Sequence, residues 1–252
     1  MGTRTALISG GSRNIGLDIG RSLAAKGHNV VLSARSQDSL DAAASDLAGL
    51  PGTVVGMAAD VTDRTQVDGL VDRVTERFGG VDILVNAAHV RVHRPFLELS
   101  LEEWQLSIDI SLTGTFHTTQ AVLGGMVERG WGRIVNFSGV TAQTGSLNRS
   151  GIIATKAALI GLTRALALEF AETGVTVNAI SPGLIGTDRG EWTSHGDQDF
   201  VKHHYASRVQ VVPMKRMGRV EEVSAACDWL VSDDAAFVTG QTINVNGGLY
   251  FG

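Results

Sequence analysis

The chain is poor in cysteine and tyrosine and has no long hydrophobic run. Its 252 residues include one cysteine, Cys227, so neither an internal disulfide nor a cysteine metal cluster is possible. A lone thiol in a helical segment reads as a buried, inert group. The two tyrosines, Tyr205 and Tyr250, leave few places for phenol chemistry. The longest apolar runs are strand-length, well short of the roughly 20 residues that span a bilayer. Met1–Arg4 leads straight into an apolar strand and leaves no room for a signal peptide. A cytoplasmic protein is expected, with no membrane partner. No basic run stands out against a net charge of −5, which argues against nucleic acid as a partner. His203 and His204 are adjacent but lack carboxylate or cysteine spacing around them, so no metal site is expected.

What is present is a regular alternation. Short β-branched runs at 5–9, 29–33, 53–57, 83–86, 133–138, 175–180 and 242–245 are separated by helix-length stretches near 15–27, 37–48, 64–78, 101–128, 152–173 and 219–231. Repeated βαβ units predict a parallel seven-stranded sheet covered on both faces, a doubly wound Rossmann-type α/β fold. A composition of 43% hydrophobic and 19% charged residues, without an internal boundary, suits one domain over 1–252. The irregular stretch 187–218 follows a strand and is read as a lid over the carboxyl edge of the sheet, where ligands bind in such folds.

The first strand ends in Ser9-Gly10-Gly11-Ser12-Arg13-Asn14-Ile15-Gly16 and runs into a helix. In that context the glycines let the backbone approach a pyrophosphate, and the helix N-terminus offers it free amides. Further along stand Asn86-Ala87-Ala88-His89, Pro182-Gly183 with Thr187, and Thr239-Gly240-Gln241-Thr242 through Asn246-Gly247-Gly248. Together these motifs resemble the short-chain dehydrogenase/reductase family over essentially the whole chain. Asn14 replaces the family's middle glycine, and Asn tolerates left-handed backbone better than other side chains do.

The resemblance implies a nicotinamide coenzyme held by Gly10, Ser12, Arg13, Asn14, Ile15, Gly16, Arg35, Asp60, Val61, Asn86, Ala87, Lys156, Pro182, Gly183, Ile185 and Thr187. An NAD-preferring protein usually carries a carboxylate after the second strand. Here that strand ends Ser33-Ala34-Arg35, and Arg13 lies in the glycine loop. Two guanidiniums suit a 2′-phosphate, so NADP(H) is the expected cofactor.

The family's reduction uses Asn, Ser, Tyr and Lys, and these positions read Ser111, Gly139, Ile152 and Lys156. Only the lysine keeps its type. Ser138 lies one residue early, and on a strand its side chain would point away unless the strand has already ended. Losing a general acid typically costs on the order of 10²–10⁴ in rate. Three readings follow. Hydride transfer could go to an acceptor that needs no phenol, such as an enoyl thioester or an iminium carbon. Non-redox chemistry could run through His89, which occupies the place of a family glycine beside the nicotinamide region, near Arg91 and His93. A catalytically silent NADP-binding module is the third. His195, His203 and His204 read as solvated residues of the lid. The catalytic candidates are thus Lys156, His89 and Ser111. With three polar groups gone, a bulky or hydrophobic small-molecule substrate is expected. The long helices near 101–128 and 152–173 predict a homo-oligomer, a tetramer or a dimer.

Overall fold

Alternation along the strands decides which helices each side chain meets. In β1 (Thr5–Ser9), Ala6 and Ile8 face one core with Ile19, Leu23, Val223 and Leu230, whereas Leu7 faces a second core with Leu70, Val74, Val122 and Met126. In β2 (Asn29–Ser33), Val30 and Leu32 join the first core and Val31 the second. Both faces are therefore buried, which is why these strands read as continuous apolar runs. The structure is a computed structural model that describes residues 2–187 and 208–252.

The sheet has seven strands in the order β3-β2-β1-β4-β5-β6-β7, all parallel. The remaining strands are β3 (Val54–Gly56), β4 (Ile83–Asn86), β5 (Gly132–Phe137), β6 (Val175–Pro182) and β7 (Thr242–Val245). The helices are α1 (Asn14–Ala25), α2 (Gln37–Asp46), α3 (Arg64–Phe78), α4 (Leu101–Ile108), α5 (Gly114–Glu128), α6 (Thr141–Thr144), α7 (Ser150–Glu169) and α8 (Val220–Leu230). Strand order reverses between β1 and β4, which opens a crevice at their carboxyl ends.

The stretch 101–128 is not one helix. A π-turn, Asp109–Thr113, separates α4 from α5. Gly114 presses so close to Val61 that a Cβ there would lie 2.6 Å from Val61 Cγ2. Thr115 Oγ1 also bonds back to the Ser111 carbonyl at 2.9 Å. Apolar periodicity continues across this break, so the pattern alone does not show it. Such π-turns often lie at functional sites, and this one carries Ser111.

Cys227 is fully buried, and burial pushes its thiol above the usual range, as expected of an inert core residue. By length and mean hydropathy α7 alone among the described helices would suffice to cross a membrane, longer than the strand-length runs read from the sequence. It packs against β5 and β6 in the middle of the fold and carries the buried Lys156.

Candidate active site

The glycine loop is pinned to the end of β2. The amides of Gly10 and Gly11 donate to the Ser33 carbonyl at 2.8 and 3.1 Å. Gly10 has φ +73°, and a Cβ on it would lie 2.8 Å from the Ala88 nitrogen. A Cβ on Gly16 would lie 2.3 Å from the Gly10 carbonyl oxygen. Asn14 adopts φ +51°, the left-handed backbone expected where it replaces a glycine. Arg13, the residue before α1, gives no side-chain cap, whereas Asp63 caps α3 and Ser100 caps α4. The turn thus brings close-packed glycine backbone and the N-terminus of α1 to one place, which fits a diphosphate. Gly16→Ala is expected to displace this turn at about 1–3 kcal/mol of stability, as overpacking does. Chemical denaturation would show it, and an unchanged midpoint would refute the fit.

Around the cradle, Asp60 Oδ1 accepts from the Thr62 amide and hydroxyl at 2.9 and 2.8 Å. The Val61 carbonyl meets His117 Nδ1 at 3.0 Å. The Ala87 amide donates to the Ser9 carbonyl at 3.1 Å and joins β4 to β1. Gly183 lies so close to Asn246 that a Cβ would sit 2.6 Å from its Cα. Ile185 is buried in the first core and its backbone bridges to Gly218, so only its main chain remains for a ligand. Thr187 is half-buried, two residues past the Ile185–Gly218 bridge. Arg35 is exposed at the tip of β2, with no acid at the strand end.

Asn86, at the carboxyl end of β4, is held in a buried polar network. It is buried, donating to Thr119 Oγ1 at 3.1 Å and Asn136 Oδ1 at 2.9 Å, and accepting from Thr118 Oγ1 at 2.7 Å. Asn136 in turn donates to Thr163 Oγ1 at 2.9 Å. This satisfied network ties β4 and β5 to α5 and α7 and fixes the strand ends under the cleft. Sequence reading names Asn86 and misses its partners, because they are scattered along the chain.

Lys156 is buried on α7, and its ammonium donates to the Phe137 carbonyl. Desolvation first, and then the Arg91 cation, push its pKa down to about 7. The Ser138 hydroxyl donates to the Lys156 carbonyl at 2.9 Å. Strand β5 has ended at Phe137, so Ser138 turns toward α7, where its hydroxyl bonds to backbone. A Cβ on Gly139 would meet nothing within 4 Å, so that position faces open space. Ile152 lies one helical turn before Lys156 and is 8% exposed. Ser111 is fully buried in the π-turn, and its hydroxyl has no hydrogen-bond partner among the described residues.

The Nδ1 of His89 bonds the Ala87 carbonyl at 3.0 Å, which assigns the proton to Nδ1 and leaves the Nε2 lone pair free. Desolvation inside the cleft, then the cations Lys156 and Arg91, push this imidazole down to about 3. The ring keeps exposed surface, so water offsets part of that depression, and His89 is neutral at pH 7 either way. His195, His203, His204 and Tyr205 lie outside the described residues, as does most of the stretch read as a lid. Tyr250 lines a cavity of about 420 Å³ with Met214, Arg216 and Glu222.

Lys156 also makes a pH prediction. Its folded pKa lies below the ordinary lysine value near 10.4. Between about pH 7 and pH 10 the unfolded chain therefore binds more protons, and stability rises with pH across that window. As pH falls to 7 that contribution is lost. Lys156→Met should flatten the rise, so the stability difference between variant and native protein should change from pH 7 to 10 in urea titrations. A constant difference would contradict it.

Comparison with known proteins decides the family. A family model described as "Enoyl-(Acyl carrier protein) reductase" matches residues 10–250. A 3-oxoacyl-[acyl-carrier-protein] reductase of Synechocystis is 36% identical, over 98% of this chain and 96% of its own length. The chain is a short-chain dehydrogenase/reductase. The corresponding reductase of Escherichia coli is 35% identical over 98% of this chain and 97% of its own. A D-beta-hydroxybutyrate dehydrogenase of Rhizobium meliloti is 36% identical over 98% of both. With named oxidoreductases matched over nearly its full length, this short-chain dehydrogenase/reductase is an oxidoreductase.

Proposed function

We propose that the protein is an NADP(H)-dependent oxidoreductase with a remodelled active site, acting on an acceptor that needs no phenolic acid. The observation that carries this is Ile152, a hydrocarbon one turn from the retained Lys156. Gly10, Gly16 and the uncapped start of α1 would hold the diphosphate, and Arg13 and Arg35 the 2′-phosphate. NADPH, when bound, supplies a hydride. Position 152 cannot then deliver a proton to a carbonyl oxygen, and Gly139 cannot hold that oxygen. The β-carbon of an enoyl thioester avoids this demand, because the resulting enolate takes its proton at carbon. An iminium carbon takes hydride and needs no proton. The name of the matched family model agrees with the first of these.

A second reading is supported by His89. A neutral imidazole with Nε2 as its acceptor, in electrostatic reach of Lys156, is the candidate general base for non-redox chemistry, a weak one unless a bound substrate raises its pKa. NADPH that binds to the native protein yet is oxidised by neither ketones nor enoyl or iminium acceptors would favour the second reading, whereas NADPH oxidation that survives His89→Ala favours the first.

The proposed setting is cytoplasmic and oligomeric. Phe116 on α5 is 47% exposed, and Leu168 on α7 is 82% exposed. Apolar surface on both long helices suits burial between copies of the chain. Light scattering is expected to report a dimer or tetramer, and a strict monomer at micromolar concentration would contradict it.

A further inference from the structure

The chain has four lysines, of which Lys202 lies outside the described residues. Lys26 is half exposed and pairs with Asp228 at 2.6 Å. Lys215 is exposed and donates to the Gln210 carbonyl at 2.6 Å. Lys156 differs from both. It is 7% exposed on α7, and its amine donates to the Phe137 carbonyl, which is polar but carries no charge.

The strand exits set the surroundings of this amine. Asn86 pairs with Asn136, so β4 and β5 leave the sheet side by side. His89 comes three residues after the one, and Gly139 three residues after the other. The glycine loop closes a third side, where a Cβ on Gly10 would lie 2.8 Å from the Ala88 nitrogen. The Ser138 hydroxyl, bonded to the Lys156 carbonyl at 2.9 Å, fixes this turn of α7 against the end of β5. Ile152, one turn earlier, shares the lysine's face of the helix and presents hydrocarbon there. At Gly139 a Cβ would meet nothing within 4 Å, so further atoms have room.

Burial beside uncharged groups disfavours an ammonium relative to a free amine. Desolvation first, and then Arg91, bring this lysine down to about 7. A phenol at position 152 would claim the nitrogen by hydrogen bonding, whereas isoleucine leaves its lone pair available. Desolvated lysines in apolar pockets are activated nucleophiles toward carbonyl carbon.

We propose that Lys156 is a nucleophilic amine that condenses reversibly with a small aliphatic aldehyde or ketone seated against Gly139 and Ile152. The nitrogen lone pair forms the new C–N bond, and the carbonyl π pair moves to oxygen. The two amine protons leave with that oxygen as water, and the resulting imine takes a proton from solvent to become an iminium. Nothing is oxidised or reduced. The iminium withdraws electrons from the neighbouring carbon, which is a non-redox use of the cleft. This activity goes beyond hydride transfer and needs no coenzyme.

The test is reductive trapping. Native protein without coenzyme is incubated with butanal or 2-butanone and sodium cyanoborohydride near neutral pH, and alkylated peptides are quantified by mass spectrometry. Lys26 and Lys215 in the same sample serve as reference amines. Lys156 should be alkylated about tenfold or more faster than either, the advantage of a desolvated amine over a solvated one. Ile152→Tyr should slow alkylation of Lys156 by about tenfold and leave Lys26 and Lys215 unchanged, because the phenol then occupies the amine. Alkylation of Lys156 no faster than that of the reference lysines would overturn the proposal, as would a rate that a folded Ile152→Tyr variant leaves unchanged. Should that variant not fold, the native ratio decides. NADPH oxidation is read in separate samples, so failure of the hydride-transfer reading leaves the trapping result standing.

Discussion

Gly139→Ser combined with Ile152→Tyr is expected to raise turnover of simple ketones by about 10²–10⁴, the usual contribution of a positioned general acid. The scaffold can accept both changes. A side chain on Gly139 enters open space, and its backbone is not in the left-handed region. Residues 152 and 156 share a face of α7, so a phenol at 152 lies over the Lys156 ammonium, which would lower its pKa. Each single variant should gain less, since Tyr alone leaves the substrate oxygen unheld and Ser alone brings no acid. NADPH oxidation against a ketone panel is the readout. A double variant that folds and binds NADPH yet gains nothing would mean that more than the two side chains has been remodelled.

Arg35→Asp is expected to weaken NADPH binding roughly tenfold to a hundredfold, the worth of a charged hydrogen bond to phosphate. Arg35 is exposed at the tip of β2, and the substitution adds a repelling carboxylate where NAD-preferring proteins hold the ribose diol. NADH affinity should hold or rise, so the preference narrows or reverses. Fluorescence titration of both coenzymes decides it. An unchanged NADPH affinity would remove Arg35 from the site.

The strands were legible because both faces of the sheet are buried, which turns each strand into a short β-branched run such as Val30-Val31-Leu32. The glycine loop was legible because close backbone approach leaves no room for a Cβ at Gly10 or Gly16. Other features were not. The π-turn around Ser111 ends where Gly114 packs against Val61, a residue far away in sequence. The direction of Ser138 depended on where β5 stops, a single-residue question that β-branched composition does not settle. Asn86 was found, but its Thr118, Thr119 and Asn136 partners come from other elements.

The central claim is that this oxidoreductase passes hydride to acceptors that need no phenol. The most direct measurement is NADPH oxidation by the native protein against two panels, ordinary ketones on one side and enoyl thioesters with cyclic iminium ions on the other. The account predicts turnover confined to the second panel, with ketones slower by about 10²–10⁴. Brisk reduction of ordinary ketones would contradict it, since some group other than residue 152 would then be delivering the proton.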